Sequence, residues 1–188
     1  MESEYMKIET HHIPSQGFDL TFEEQAAAFE SLKQLIDSAV CDFIAPIQID
    51  LNVMPMRDLI RVKGTLETVV RQACVRCLGD FDYGLKTRFI LNYSKQIPED
   101  LHDQETQGIE LTAQQIGITF YKGDEIDFSD AIQEQVVLAI PYKPICSEGC
   151  KGLCSQCGQD LNKGKCQCGE KQDDGPFEAL RKLKLPSQ

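Results

Sequence analysis

The chain has no tryptophan, only three histidines among 188 residues, and no apolar stretch approaching the roughly 20 residues of a membrane span. Its first residues, Met1–Lys7, lack the basic and apolar regions of a secretory signal, so a cytoplasmic protein is expected. There is no glycine-rich phosphate loop, nucleophile elbow or zinc-protease helix motif. Paired carboxylates occur only within acidic stretches that read as solvated faces. No catalytic residue is assigned and no enzyme is expected. The length falls short of a (β/α)₈ barrel, which needs about 250 residues. With 41% hydrophobic and 26% charged residues, the chain nonetheless folds. The expected class is α+β.

A general affinity for nucleic acid is disfavoured by a formal charge of −11. The charge is unevenly spread. Residues 1–56 carry 2 basic and 10 acidic side chains, and residues 96–145 repeat that balance. Between them, residues 57–95 hold 8 basic against 4 acidic. Within this middle block no two cations are adjacent, and neither an RNA-recognition motif nor a KH signature is present. A solvated outer sheet face is the plain reading. If RNA is touched, the candidates are Arg57, Arg61, Lys63, Arg71, Arg76, Lys86 and Arg88.

Thr21–Asp37 reads as an amphipathic helix, with Thr21 and Glu24 at capping-box spacing and Phe22, Phe29, Leu32 and Ile36 along one stripe. Ile47, Ile49, Leu51 and Val53 alternate with polar residues as in a half-buried strand. Two further β-forming runs, Ile60–Val70 and Leu85–Tyr93, complete an antiparallel β-sheet or partial barrel with one wet face. Phe89 and Tyr93 are expected in its core rather than stacked on bases. The acidic stretch 94–117 reads as a long loop and Ile118–Tyr121 as a short strand. Asp127–Ile140 reads as a second helix stopped by Pro141. The expected organisation is an α+β body over residues 1–145 and a Cys-rich module over 146–188. A short helix at Pro176–Lys184 closes that module.

Of nine cysteines, six fall within residues 146–168. Where thiols stay reduced, such clustering indicates metal rather than disulfides. Cys154-x₂-Cys157-Gly158 and Cys166-x-Cys168-Gly169 together supply four thiolates, the pattern of a closed structural zinc site. Cys74-x₂-Cys77 and Cys146-x₃-Cys150 form a second four-thiolate site if the fold unites them, so one or two zinc ions are expected. Cys41 is left over as a small apolar residue. The histidines lie in polar or acidic stretches and read as solvated. Cys150, Cys154 and Cys157 also match the C-x₃-C-x₂-C iron–sulfur spacing of radical-SAM enzymes. Those enzymes build their substrate barrel downstream of the motif, and only 31 residues follow Cys157. A redox role for Cys74-x₂-Cys77 would need a βαβ context, whereas this stretch is β-rich. Zinc held by four thiolates is a net anion, which makes a basic protein partner more favourable than naked RNA.

The combined pattern resembles the YceD family of large ribosomal RNA subunit accumulation proteins. The resemblance rests on Cys74-Val-Arg-Cys77-Leu78 with Phe81, on the run Ile126–Gln135 (Ile-Asp-Phe-Ser-Asp-Ala-Ile-Gln-Glu-Gln) and on Ala139–Pro144. It continues through Cys146-x₃-Cys150-Lys151-Gly152-Leu153-Cys154-x₂-Cys157-Gly158, Asp160-Leu161-Asn162, Cys166-x-Cys168 and the Pro176–Lys184 ending. It implies a bacterial cytosolic or organellar factor supporting accumulation of large-subunit ribosomal RNA, with no known catalysis. The implied partner is the RNA precursor or a basic ribosomal or assembly protein. Some family members lack the Cys154–Cys168 cluster, which makes the two cysteine groups separable. The competing readings are a zinc-stabilised interaction module unconnected with ribosomes and an iron–sulfur or thiol-redox protein.

Overall fold

The structure, a computed structural model, describes residues 6–57, 59–95 and 117–168. Its frame is set by three long runs of alternating apolar and polar residues. These become β4 (Ile47–Met56), β5 (Leu59–Ala73) and β6 (Asp80–Ser94), paired antiparallel in sequence order. Alternation sends Ile47, Ile49, Leu51 and Val53 of β4, with Val62, Leu66 and Val70 of β5, to one buried face. The other face presents Lys63, Thr65 and Glu67 to solvent beside Ile90, Arg88 and Lys86 of β6.

The sheet continues outward to β2 (Phe18–Glu24), antiparallel to β4. On the far side lies β7 (Ile118–Phe120), parallel to β6. A two-residue β3 (Asp42–Phe43) pairs with β5. A separate ribbon joins β1 (Lys7–Glu9) to β8 (Glu125–Asp127). Two helices, α1 (Glu30–Asp37) and α2 (Ser129–Ala139), contribute Leu32, Ile132 and Val136 to the buried face. Phe29, Phe128, Phe89 and Tyr93 fill the same core. Tyr93 meets Phe128 edge-on, with ring centroids 5.5 Å apart. Gly64 sits opposite Phe89, and a Cβ there would lie 2.0 Å from Phe89 Cζ, so the missing side chain is what admits the ring.

Three expectations change. The helix expected at Thr21–Asp37 begins as strand: its first four residues, 21–24, belong to β2. Phe18, Leu20 and Phe22 alternate with polar residues and pair with Val53, Leu51 and Ile49. Thr21 donates its hydroxyl to Asp50 Oδ1 at 2.8 Å instead of capping a helix, and the α-helix begins only after Phe29, behind a 3₁₀ turn at Ala26–Ala28. Cross-strand pairing outweighs the capping-box signal. The sheet does not close into a barrel: β2 and β7 are its two ends, and β7 makes it mixed rather than purely antiparallel. Of the expected 94–117 loop, Ser94 belongs to β6 and residues 96–116 lie outside the described residues, as does the Pro176–Lys184 helix.

Candidate metal centres and the cationic face

The inward phase of β5 runs through Val70 and Gln72 to Cys74, which is fully buried. The chain then turns so that Leu78 N–H donates to Cys74 O and Cys74 N–H to Gly79 O, both at 2.9 Å. Arg76 N–H lies 3.4 Å from Cys74 Sγ. This knuckle is the connection between β5 and β6. The turn at Cys154–Cys157 repeats it: Gly158 N–H donates to Cys154 O at 2.9 Å, Cys154 N–H to Gln159 O at 2.8 Å, and Gln156 N–H lies 3.5 Å from Cys154 Sγ. Each knuckle needs a left-handed residue in the position after its second cysteine. Gly158 supplies it without strain at φ 73°, whereas Leu78 adopts φ 57° with its side chain exposed.

The knuckles gather the remaining cysteines. Cys74 Sγ lies 3.8 Å from Cys150 Sγ, and Cys77 Sγ lies 3.8 Å from Cys146 Sγ. Cys166 Sγ approaches Cys154 Sγ to 3.5 Å. Thus Cys74, Cys77, Cys146 and Cys150 form one group and Cys154, Cys157, Cys166 and Cys168 another, the four sulfurs of each lying within 4.8 Å of one another. Both groups could hold a metal ion. Four thiolates around one point suit a tetrahedral cation and leave no position open for a substrate. The C-x₃-C-x₂-C triplet does not share a site, because Cys150 lies in one group and Cys154 and Cys157 in the other.

The electrostatics of each sulfur group favour a bound cation. The amides of Cys146 and Cys77 hold Cys74 at about 6, and those of Cys157 and Gln156 do the same for Cys154. Conversely, the Cys150 sulfur and burial push Cys146 up to about 12, and the Cys157 sulfur and burial push Cys168 to about 12. Crowded sulfurs cannot all ionise without a cation among them. Cys41 stands apart, buried, its thiol raised by burial and then by Asp42.

Two residues join the centres. Arg76 donates from Nη1 to Cys150 O at 3.1 Å and Glu148 O at 3.4 Å, and its own carbonyl accepts Leu153 N–H at 3.1 Å. Asn162, between Cys157 and Cys166, accepts Lys151 N–H at 2.8 Å and lies with Nδ2 3.4 Å from Cys150 Sγ. Gly152 passes so close to Arg76 that a Cβ would lie 3.0 Å from its carbonyl oxygen. In the sequence Asn162 figures only in the Asp160-Leu161-Asn162 run. No spacing signal marks it, since its role depends on contact with the other centre.

The family model described as large ribosomal RNA subunit accumulation protein YceD matches residues 62–184, which include both cysteine groups. The chain belongs to the YceD family. A chloroplastic YCED homolog 1 of Arabidopsis thaliana, named a large ribosomal RNA subunit accumulation protein, is 30% identical over 72% of this chain and 49% of its own. Its Zea mays counterpart is 27% identical over 71% of this chain and 52% of its own. An uncharacterized protein of Mycobacterium leprae is 26% identical over 80% of this chain and 70% of its own. The chain spans about half the length of the chloroplastic relatives. No solved structure matches.

In this YceD chain the middle cations fall into two sets. Arg71 is bound through Nε and Nη2 to Asp82 at 2.7 and 3.0 Å, and Lys86 pairs with Glu67. Arg76 serves the metal-centre loop as above. The others sit toward the β4–β5 connection: Arg57 in the turn itself, Arg61 and Lys63 on the outer face of β5, and Arg88 on β6. Arg61 Nε donates to neutral Asn92 at 3.1 Å, and none of these four has an acidic partner among the described residues. His11 and His12 are exposed and both contact Glu9 Oε2, at 3.2 and 2.8 Å. Among the described residues no helix is long and apolar enough to cross a membrane.

Proposed function

We propose that this chain is a non-catalytic ribosome-assembly factor that supports accumulation of large-subunit ribosomal RNA, with zinc at both four-sulfur centres as a structural element. The observation that carries the reading is the sorting of eight cysteines into two closed groups within the stretch matched by the family model. The donor set suits zinc: all-thiolate, tetrahedral in reach, backed by amide N–H groups, with no open coordination position. Cys74, Cys77, Cys146 and Cys150 would tie the module to the β5–β6 hairpin, while Cys154, Cys157, Cys166 and Cys168 would hold the module itself. Bound zinc supplies cross-linking and charge compensation. The chain's residues supply the knuckles, the sulfur hydrogen bonds and the partner surface. The partner class is a large-subunit RNA precursor or a basic protein bound to it.

The test is depletion in the host, reading the ratio of large- to small-subunit ribosomal RNA. A selective loss of large-subunit RNA, restored by the wild-type chain, is expected. An unchanged ratio in cells shown to lack the protein refutes the reading and leaves a metal-held interaction module. Elemental analysis of the purified chain accompanies it: two zinc ions and no colour are expected, and iron with visible absorption refutes the zinc assignment.

A further inference from the structure

We infer that the end of the sheet carrying Arg57, Arg61, Lys63 and Arg88 is an RNA-backbone contact surface, an inference that rests on the proposed role in large-subunit RNA accumulation. Three observations converge there. First, the cations are unneutralised where the other cations of the same sheet are not: Arg71 and Lys86 have Asp82 and Glu67, whereas these four have no acidic partner among the described residues. Second, they are aligned. Arg61 and Lys63 are two residues apart on one face of β5, so their Cα atoms are spaced by roughly 7 Å. Arg88 follows on the neighbouring strand, opposite Thr65. The Asn92 contact to Nε orients the Arg61 guanidinium and leaves its terminal N–H groups for an anion.

Third, the surface is shaped and partly apolar. Arg57, Arg61 and Lys63 line a concavity of 610 Å³ together with Met54 and Met56, both exposed. A second concavity of 680 Å³ takes in Lys63 and Arg88 beside exposed Ile90. Its acidic residues, Asp19 and Asp50, lie on the β2–β4 side and accept hydrogen bonds from Asn52 and Thr21. They bound the cationic track on that side. A row of cations with no acidic partner among the described residues, flanked by exposed apolar side chains, suits a phosphate chain whose sugars and bases need apolar contact. In a chain of net charge −11, such a local surface attracts an anionic polymer while the remainder repels it, which limits binding to one face.

The test uses the full zinc-loaded chain and a fluorescein-labelled RNA hairpin with a single-stranded loop, with binding measured by anisotropy across salt. Four phosphate contacts give a slope of log K against log salt of about 3, so this contribution weakens about 60-fold when salt rises fourfold. Replacing all four cations by Gln (R57Q/R61Q/K63Q/R88Q) is expected to remove that slope, while R71Q/K86Q, which touches only paired cations, leaves it. Equal effects of the two variants, or no RNA binding by the wild type, overturn the inference. So does association with large-subunit precursor particles that survives nuclease treatment yet is lost in the quadruple variant, because the surface then meets an acidic protein. In depleted cells, a quadruple variant that restores large-subunit RNA overturns this surface while leaving the proposed function standing. An unchanged RNA ratio on depletion overturns the function itself.

Discussion

Asn162 offers a sharp test of how the two centres are linked. Its side chain accepts Lys151 N–H at 2.8 Å and reaches Cys150 Sγ at 3.4 Å, so two hydrogen bonds cross from the loop of one centre to a ligand segment of the other. Its third side-chain contact, to Asp160 Oδ1 at 2.8 Å, stays within its own loop. Each crossing bond contributes about 0.5–1.5 kcal/mol net, so N162A removes about 1–3 kcal/mol from the arrangement of Cys150, or roughly 5- to 150-fold in affinity. Loss of an outer-shell partner to a metal ligand independently suggests about 10- to 100-fold. The two routes agree. Titration with a chelator, following zinc release, should therefore show N162A losing the ion of the Cys74 centre early, with the body's secondary structure unchanged. In a C154S/C157S background the loop carrying Asn162 is no longer held, so adding N162A should weaken the Cys74 centre little further, a non-additive pair. Wild-type zinc retention by N162A, or strict additivity in the double background, refutes the linkage.

Two more outcomes follow from the same geometry. C154S/C157S should lower zinc content by one ion per chain and expose the module to protease, and unchanged zinc content refutes that centre. Burial, followed by Asp127, Asp130 and Glu134, raises the Tyr93 phenol to about 12. The fold therefore favours the neutral phenol: its stabilisation is complete below the ordinary value of about 10 and is lost as pH rises from about 10 to about 12. Y93F should remove that alkaline loss while changing neutral-pH stability by less than about 1.5 kcal/mol, because the ring and its contact with Phe128 remain. Denaturant midpoints at two alkaline pH values decide it, and a variant that keeps the wild-type slope refutes the assignment.

The readable parts of the chain were those whose signal is local. Alternation in Ile47–Val53 and Leu85–Tyr93 marks β4 and β6 because one face of each strand is buried, and Pro141 marks where α2 must end. β2 is hidden in the sequence because Thr21 and Glu24 mimic a cap and its aromatics suit two periods at once. Only pairing with β4, about 30 residues on, decides between them. β1 and β8 have three residues each and exist through each other, across more than 100 residues of chain. The cysteine spacings were legible as pairs, since each knuckle is a local turn. That Cys74 and Cys77 meet Cys146 and Cys150 depends on where α2 delivers the following segment. There Val75 N–H donates to Pro144 O at 2.9 Å. By charge alone Arg76 belongs with the possible RNA contacts. Its side chain instead reaches two carbonyls of the opposing loop.

The β5–β6 hairpin gives this layout a functional consequence. β5 is 15 residues long, with Arg61 and Lys63 near its start and the Cys74–Cys77 knuckle directly after its end. At about 3.3 Å per residue, the 13 steps from Arg61 to Cys74 place Arg61 roughly 40 Å from the first candidate metal centre, and Arg88, opposite Thr65, roughly 30 Å from it. The strands between them have their own core, built from Val62 and Leu66 with partners on β4 and the helices, and that core contains no candidate metal ligand. Stripping zinc should therefore unravel the cysteine module while the cationic end keeps its shape. Neutralising the cations should leave both ions bound. The sheet thus holds the cationic end in place by a core that includes no cysteine of either four-sulfur group.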